Sequence, residues 1–406
     1  MTRLKKSEFA LAVPFINTSA SFHNTGSQAA TGQGAIALPG TAPIALGNNG
    51  QDAGGFAMLL TGYVALKLSD DVSFGVGLNE PFGLVTEWQR DWLGRFQATR
   101  SELRTYGIYP SLGVAVDKNW SLGGGLSFMK ASAKLENAVN FLVPGLPAPL
   151  VGTSAGEGSA TVKGSDTALG WNAALHFRSD DEATRVGINY RSKHDFALEG
   201  DVNFDRPTPS PALAAALGQT PAQLAAALAA ATPNGKIRAE LDLPDTLSLS
   251  IAHQATPSID VLADITLTNW STFKEIRIKR DSGATLASTV YDWDDTTRYA
   301  VGIHYLVNDD FLLRIGVAYD ESPISVQELR TARLPDNNRT WASIGCRFAL
   351  DGGSIDIGYS RVTVSDASLN TNVGGNNEAS TAKFGLLKGT VEGKADVLAV
   401  QYNRSF

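Results

Sequence analysis

The chain is short of the residues that mark the commonest functional classes. Cys346 is its only cysteine, which excludes a disulfide framework and a multi-cysteine metal centre. So few thiols suit a chain that crosses an oxidising compartment, though cytosolic proteins can be equally cysteine-poor. No uninterrupted apolar run approaches the ~18 residues of a membrane-spanning helix. Lysine and arginine number 34 against 41 acidic residues, a net charge of −7, which argues against nucleic acid as a partner. Residues 1–13 are basic at the start but contain no apolar core of about 7–15 residues and no small-residue cleavage site, so no export signal is visible there. The five histidines, His23, His176, His194, His253 and His304, belong to no HExxH, and neither GxSxG nor a P-loop occurs. No enzyme, cofactor or metal site is expected. A fixed repeat period, as in a solenoid or propeller, is also missing.

What is present is alternation. Across residues 183–204 the even positions carry Val186, Ile188, Tyr190, Phe196, Leu198, Val202 and Phe204. The odd positions carry Arg185, Asn189, Arg191, Lys193, Asp195, Glu199 and Asp201. Period-2 alternation is a strand with one apolar and one polar face. The run has 22 residues, where an ordinary strand has roughly 5–6. A transmembrane barrel strand needs about 9–11 residues for the bilayer, with lipid on its apolar face and lumen on its polar face.

The pattern recurs over 7–23, 54–68, 72–87, 100–117, 119–140, 159–178, 236–253, 258–279, 291–306, 311–320, 339–350, 354–364 and 395–406. That predicts an all-β fold, an antiparallel transmembrane barrel of about fourteen strands, as one domain over residues 1–406. An even strand number is what single-chain bacterial barrels use. Short connections rich in Asp, Asn, Ser and Gly alternate with long ones at 24–53, 88–99, 141–158, 205–235, 280–290, 321–338 and 365–394. Short periplasmic turns and long extracellular loops give the same alternation.

Two long loops are apolar. Residues 141–151 read FLVPGLPAPLV, and 210–231 are rich in Ala and Leu. Ser210-Pro211 and Thr220-Pro221 each offer an N-cap followed by proline, so two short helices are expected there. These helices either pack on each other over the barrel mouth or present a groove to a greasy ligand, since outward apolar surface needs a reason. In the second case Leu142, Leu146, Leu150, Leu213, Leu217 and Leu224 form the docking surface. Basic residues on the polar faces, Arg185, Arg191, Lys193, Arg238, Arg298 and Arg314, either join a structural charge network in the lumen or meet a ligand carboxylate. The tryptophans at 88, 92, 120, 171, 270, 293 and 341 suit interfacial girdles. In the third strand, Asn79-Glu80-Pro81-Phe82-Gly83 interrupts the alternation. Proline lacks a ladder donor, and glycine in a strand marks a bend or bulge.

Residues 263–278, ADITLTNWSTFKEIRI, carry Trp270, Ser271 and Phe273. This stretch resembles the Trp-Ser-x-Phe strand of the long-chain fatty-acid outer-membrane transporters (FadL type), a family that includes aromatic-hydrocarbon uptake channels. Pro81-Phe82-Gly83-Leu84, Thr86-Glu87-Trp88, Leu243-Pro244, Tyr319 to Pro323, Leu334-Pro335-Asp336, Arg339 and Trp341 agree in the same order along the chain. The final strand, with Leu398, Val400, Tyr402 and terminal Phe406, resembles the signal read by the barrel-assembly machinery.

The resemblance implies a monomeric protein of the bacterial outer membrane, surrounded by lipid. It would take up hydrophobic small molecules passively: fatty acids, or aromatic hydrocarbons. Ligand would be caught by the loops, held in the lumen and released sideways through a kinked third strand at Pro81, Phe82 and Gly83. The family also carries a cleaved signal peptide and an N-terminal hatch with an Asn-Pro-Ala element, which this sequence does not show. The expectation is that Met1 is internal to a longer frame or that the sequence is a fragment. The alternatives are an adhesive surface barrel that binds a macromolecule or phage, and, less in keeping with apolar loops, a water-filled porin.

Overall fold

The computed structural model describes residues 4–28, 47–141, 156–371 and 384–406. One antiparallel sheet closes on itself. It begins with β1 (Glu8–Asn24) and continues through the collinear pieces β2 (Phe56–Met58) and β3 (Thr61–Lys67). The next pieces, β4 (Val72–Asn79) and β5 (Gly83–Glu87), are again collinear. Then come β6 (Arg100–Ala115), β7 (Trp120–Asn140), β8 (Glu157–Arg178) and β9 (Thr184–Arg191). The strand β10 (His194–Asp205) leads to helices α1 (Pro211–Ala216) and α2 (Pro221–Ala231), then to β11 (Gly235–Leu243) and β12 (Thr246–Thr256). After β13 (Ile259–Thr268) follow β14 (Glu275–Arg280), β15 (Thr285–Val290), β16 (Thr296–Asn308) and β17 (Phe311–Asp320). The last are β18 (Arg339–Leu350), β19 (Gly353–Asn370) and β20 (Lys388–Ser405).

Round the wall the order is β1, β2/β3, β4/β5, β6, β7, β8, β9, β12, β13, β16, β17, β18, β19 and β20, which is fourteen strands. Closure is by β20 on β1, from Glu8 opposite Ser405 to Asn24 opposite Gly389. Closing the sheet removes the free edges that lipid could not satisfy. Ile188, Leu249, Ile265, Val301, Ile315 and Ile344 stand exposed on the outside, while the intervening polar residues face in. The short turns are closed by side chains. Asp117, for example, accepts from the Asn119 and Trp120 backbone amides at 2.7 and 2.8 Å.

The 183–204 run is not one strand with one lipid face. It breaks at Ser192-Lys193 into β9 and β10. Ile188 is exposed on the outside of β9, whereas Phe196, Leu198 and Val202 on β10 are 2 %, 6 % and 0 % exposed and face inward. The cause is one extra residue. From Arg191 opposite Asn172 to Glu199 opposite Ser165, this side advances eight residues and β8 seven. A slip of one residue turns every side chain to the other face. Ser192 stitches the irregularity: its amide donates to the Trp171 carbonyl and its hydroxyl accepts from the Trp171 amide, both at 2.9 Å.

The 236–253 run inverts in the same way at Pro244-Asp245. Leu241 and Leu243 are buried inward, but Leu247 and Leu249 are exposed outward. As a result β10, β11, β14 and β15 form an upper sheet above the wall. Its outer surface meets water, so charge belongs outside and apolar residues inside. The stretch 280–290, expected as a plain loop, contains β15.

The tryptophan girdle also needs correction. Only Trp120 and Trp171 are strongly exposed. Trp88 and Trp92 stack at 4.2 Å in a buried core with Phe22, Leu387 and Val391. Trp270, Trp293 and Trp341 lie on the inner side, where packing rather than the interface holds them.

Candidate functional site

A cavity of about 520 Å³ lies inside the barrel under the upper sheet. Its wall is chiefly apolar and aromatic: Phe82, Leu103, Met129, Leu241, Leu243, Trp270, Phe273, Tyr291 and Trp293. Local sequence explains the aromatic cluster. Between β13 and β14, Trp270–Thr272 form a single 3-10 turn, with the Phe273 amide donating to the Trp270 carbonyl at 2.8 Å. The Ser271 amide donates to Asp295 at 2.8 Å. This turn brings Trp270 and Phe273 to the same side, where their rings lie 5.1 and 4.5 Å from Trp293. The cavity matches the general form of a small-molecule site, apolar walls with a few convergent polar groups.

The kink segment meets this cluster. Pro81, Phe82 and Gly83 all line the cavity, and the Phe82 ring meets Trp270 edge to face at 5.9 Å. Its backbone is held by Thr105, whose hydroxyl accepts from the Phe82 amide at 2.9 Å and donates to the Phe82 carbonyl at 2.7 Å. Both β4 and β5 pair with β6 on one side. On the other side the β3–β4 ladder stops at Gly62 opposite Leu78, and β2 pairs only with β1. Among the described residues no ladder joins Phe56–Met58 to Gly83–Glu87. Nearby, the Glu87 N–H donates to the Ala53 carbonyl at 3.0 Å. The wall therefore has an unpaired stretch beside the cavity.

Loop 321–338 folds inward as the cavity's cover. The Thr86 hydroxyl donates to the Arg333 carbonyl at 2.6 Å, and the Trp88 indole N–H donates to the Ala332 carbonyl at 3.0 Å. Arg339 grips Asp336 in a bidentate pair at 3.0 and 2.7 Å and reaches Asp320 at 3.0 Å. Burial pushes the Asp336 carboxyl above the usual carboxylate range, while the Arg339 guanidinium and the Ser322 hydroxyl pull the other way.

The six basic candidates separate. Arg191 and Arg298 line the aromatic cavity. Arg298 lies 3.6 Å from Asp264 and over the Trp341 ring at 6.0 Å. Arg191 has no ion-pair partner among the described residues. Arg185 and Arg314 line a separate, lower lumen space, paired with Asp260 at 3.6 Å and Asp356 at 2.5 Å. Lys193 and Arg238 are not lumen residues. They face water on the outside, paired with Asp195 at 2.9 Å and Glu199 at 3.2 Å, because the faces invert at Ser192-Lys193 and at Pro244-Asp245.

The loop leucines separate too. Leu142, Leu146 and Leu150 lie outside the described residues. Leu213 and Leu224 are 2 % and 5 % exposed, packed with Leu228 and Phe141, and Leu217 packs at the edge of that cluster. The caps form as expected: Ser210 accepts from the Leu213 amide, and Thr220 and Gln223 form a capping box. Gly218 turns the chain between the helices with φ +65, a conformation that costs glycine least. At the far end the Phe406 amide donates to the Ser7 carbonyl at 2.8 Å, and Tyr402 and Phe406 both contact the Phe9 ring.

Sequence reasoning had not assigned Tyr291, Trp293 or the 2.8 Å His194–Ser127 pair to the site. Four aromatics between 270 and 293 were the available signal.

A closed fourteen-strand barrel with a lipid-facing exterior and an apolar cavity beside an unpaired wall stretch defines an outer-membrane transport barrel. The chain belongs to the outer membrane protein transport protein family (OMPP1/FadL/TodX), whose model matches residues 1–406. It is 29 % identical over 305 residues to the long-chain fatty acid transport protein of Escherichia coli O6:H1, covering 72 % of this chain and 66 % of that one, so the match spans just under two thirds of that relative. It is 32 % identical over 313 residues to the 47 kDa outer membrane protein of Pasteurella multocida, covering 75 % of this chain and 70 % of that one. Among solved structures, a Pseudomonas aeruginosa FadL homologue superposes with a TM-score of 0.85 at 27 % identity, covering 99 % of this chain and 91 % of that chain. The Pseudomonas putida toluene transporter TodX shares the fold at TM-score 0.68 and 18 % identity, covering 99 % and 91 %. The family is one of transport channels, not enzymes.

Proposed function

We propose that this barrel takes up hydrophobic molecules with a carboxylate head, such as long-chain fatty acids, without an energy source. The observation that carries the reading is Arg191, a lumen arginine that lines an aromatic cavity and has no ion-pair partner among the described residues. A cation left unpaired beside an apolar cavity suits a ligand with a greasy tail and an anionic head. Two similar proteins are named for fatty-acid and toluene transport, and a basic side chain in the cavity favours the first chemistry.

Capture would involve residues 141–151 and the helix pair α1/α2, although Leu213 and Leu224 are already engaged in packing. Transfer of each CH₂ from water into the cavity contributes about 0.8 kcal/mol. Release would occur sideways beside Pro81, Phe82 and Gly83, where the β3–β4 ladder ends, so the tail need not cross the watery lower lumen. The terminal strand with Tyr402 and Phe406 is the segment we assign to recognition by the barrel-assembly machinery, and a monomer is enough for this route.

The test is mass spectrometry of the purified barrel, with labelled palmitate and labelled toluene offered together. Retention of palmitate over toluene is expected. Retention of toluene alone would move the assignment to hydrocarbon uptake. Tight binding of a macromolecule with no lipid retained would favour the adhesive alternative.

A further inference from the structure

The outer wall carries a second feature that uptake does not use. On β6, β7 and β8 the exposed apolar belt ends with Tyr106, Phe128 and Leu169. These strands run on toward the long-loop end, which faces outward in such barrels. Directly above the belt, on the same outward face, stand Arg104 and Lys130, followed by Lys134 and Lys163.

The arrangement departs from the neighbouring sheet. Where β10 meets β11, opposite charges face each other: Glu199 opposite Arg238 and Asp201 opposite Lys236. Where β7 meets β8, Lys134 stands directly opposite Lys163, although on their other sides Lys134 faces Glu102 and Lys163 faces Asp201. Like charges in register destabilise a sheet. Lys134 is drawn 2.6 Å to Glu136 of its own strand, and Arg104 2.7 Å to Glu102. Among the described residues Lys130 and Lys163 have no ion-pair partner. This local excess of positive charge sits on a chain of net charge −7.

Depth fits a lipid headgroup. Lys130 is two residues beyond Phe128, about 7 Å along the strand, and Lys134 lies about 20 Å beyond Phe128. The height is less, because barrel strands tilt by roughly 35–45°. The first basic row therefore begins where acyl chains give way to headgroups, and the second lies above it. The outer leaflet of a Gram-negative outer membrane offers phosphorylated glycolipid at this level.

We propose that Arg104, Lys130, Lys134 and Lys163 form a binding site for the phosphate groups of an outer-leaflet glycolipid, whose acyl chains lie on Tyr106, Phe128 and Leu169. The site adjoins the unpaired wall stretch, since Arg104 is the β6 residue opposite Gly83. It stands whether the cargo is a fatty acid or a hydrocarbon.

The experiment uses the purified full chain in detergent, with diphosphoryl lipid A and its dephosphorylated form as probes, read by native mass spectrometry. Diphosphoryl lipid A should be retained at least tenfold better than the dephosphorylated form. The double substitution Lys130→Glu with Lys163→Glu should remove that preference while palmitate retention stays unchanged. Equal retention of both probes, or a preference that survives charge reversal, overturns the site. Should the reversed variant fail to show heat-modifiable gel mobility, Lys130→Gln with Lys163→Gln takes its place. Retention by the unmodified barrel should also fall as salt rises from 50 to 500 mM, since exposed charge contacts are screened; salt-independent retention overturns the site as well.

Discussion

The Phe82 ring stands edge-on to Trp270 at 5.9 Å, joining the break in the third wall strand to the Trp-Ser-x-Phe turn nearly two hundred positions later in the sequence. The contact couples the unpaired stretch of wall to the aromatic floor of the cavity. An edge-to-face pair contributes about 0.5–1.5 kcal/mol beyond the area it buries. Phe82→Ala should therefore weaken ligand retention by several-fold and leave barrel assembly intact. Titration of retained palmitate against concentration gives the number. An unchanged midpoint would mean that Phe82 only packs the wall.

Arg191 and Arg298 both line the cavity, but Arg298 already has Asp264 and the Trp341 ring. A hydrogen bond to a charged group contributes about 1.5–3 kcal/mol, so Arg191→Gln should weaken palmitate binding by roughly tenfold or more. Binding of hexadecanol, which has the same tail and no charge, should change much less. Arg298→Gln should show the smaller loss. A parallel drop for both ligands in Arg191→Gln would assign Arg191 to cavity shape rather than head-group recognition.

The division between what the sequence shows and what it hides follows from period. Alternation survives wherever a strand lies between lipid and lumen, so the fourteen wall strands and the closing pair β1 and β20 could be read directly. Apolar and polar faces exchange roles once a strand rises into water, and alternation alone cannot reveal this. Phe196 and Leu198 continue the even-numbered series of Ile188 and Tyr190, yet they point to the opposite side. The same blindness placed Lys193 and Arg238 in the lumen. The sign of a break was visible as Ser192-Lys193 and Pro244-Asp245, but the direction of the turn depends on one extra residue in register against β8. The cavity was partly legible. Trp270, Phe273 and the Pro81–Gly83 interruption stood out as separate features, and only closure of the barrel brings them together.

The helix pair gives a prediction about the mouth. Leu224 is 5 % exposed in the cluster with Leu213, Leu228 and Phe141. Truncating such a leucine typically costs 2–5 kcal/mol. Most of that cost falls on the loop, since the barrel ladders do not include these residues. Leu224→Ala should raise the rate of proteolytic nicking within 205–235 while heat-modifiable mobility is preserved. Palmitate capture that slows in step with the nicking would show that the packed helices also serve as the docking surface. Capture at the normal rate would leave them a lid.

Gly83 gives the prediction for the exit. It is the first residue of β5, it lines the cavity, and its register partner is Arg104. A Cβ built at this position meets nothing closer than the Leu103 carbonyl oxygen at 4.0 Å. The backbone therefore has room for a side chain, and Gly83→Val should assemble normally. Valine is also at home in a strand. Its methyl groups would stand at the edge of the stretch where, among the described residues, the third strand has no ladder to the second. A molecule leaving the cavity sideways has to pass this edge. Gly83→Val should thus cut uptake of labelled palmitate to a small fraction of the original rate, and Gly83→Arg should cut it further by setting a second cation beside Arg104. Palmitate binding by the purified barrel should stay within about twofold, because the aromatic wall is untouched. This split between binding and uptake separates an exit from a binding residue. Normal uptake through an assembled Gly83→Arg barrel would rule out sideways release here, and the interruption at Pro81–Gly83 would then be a bulge that shapes the cavity and nothing more.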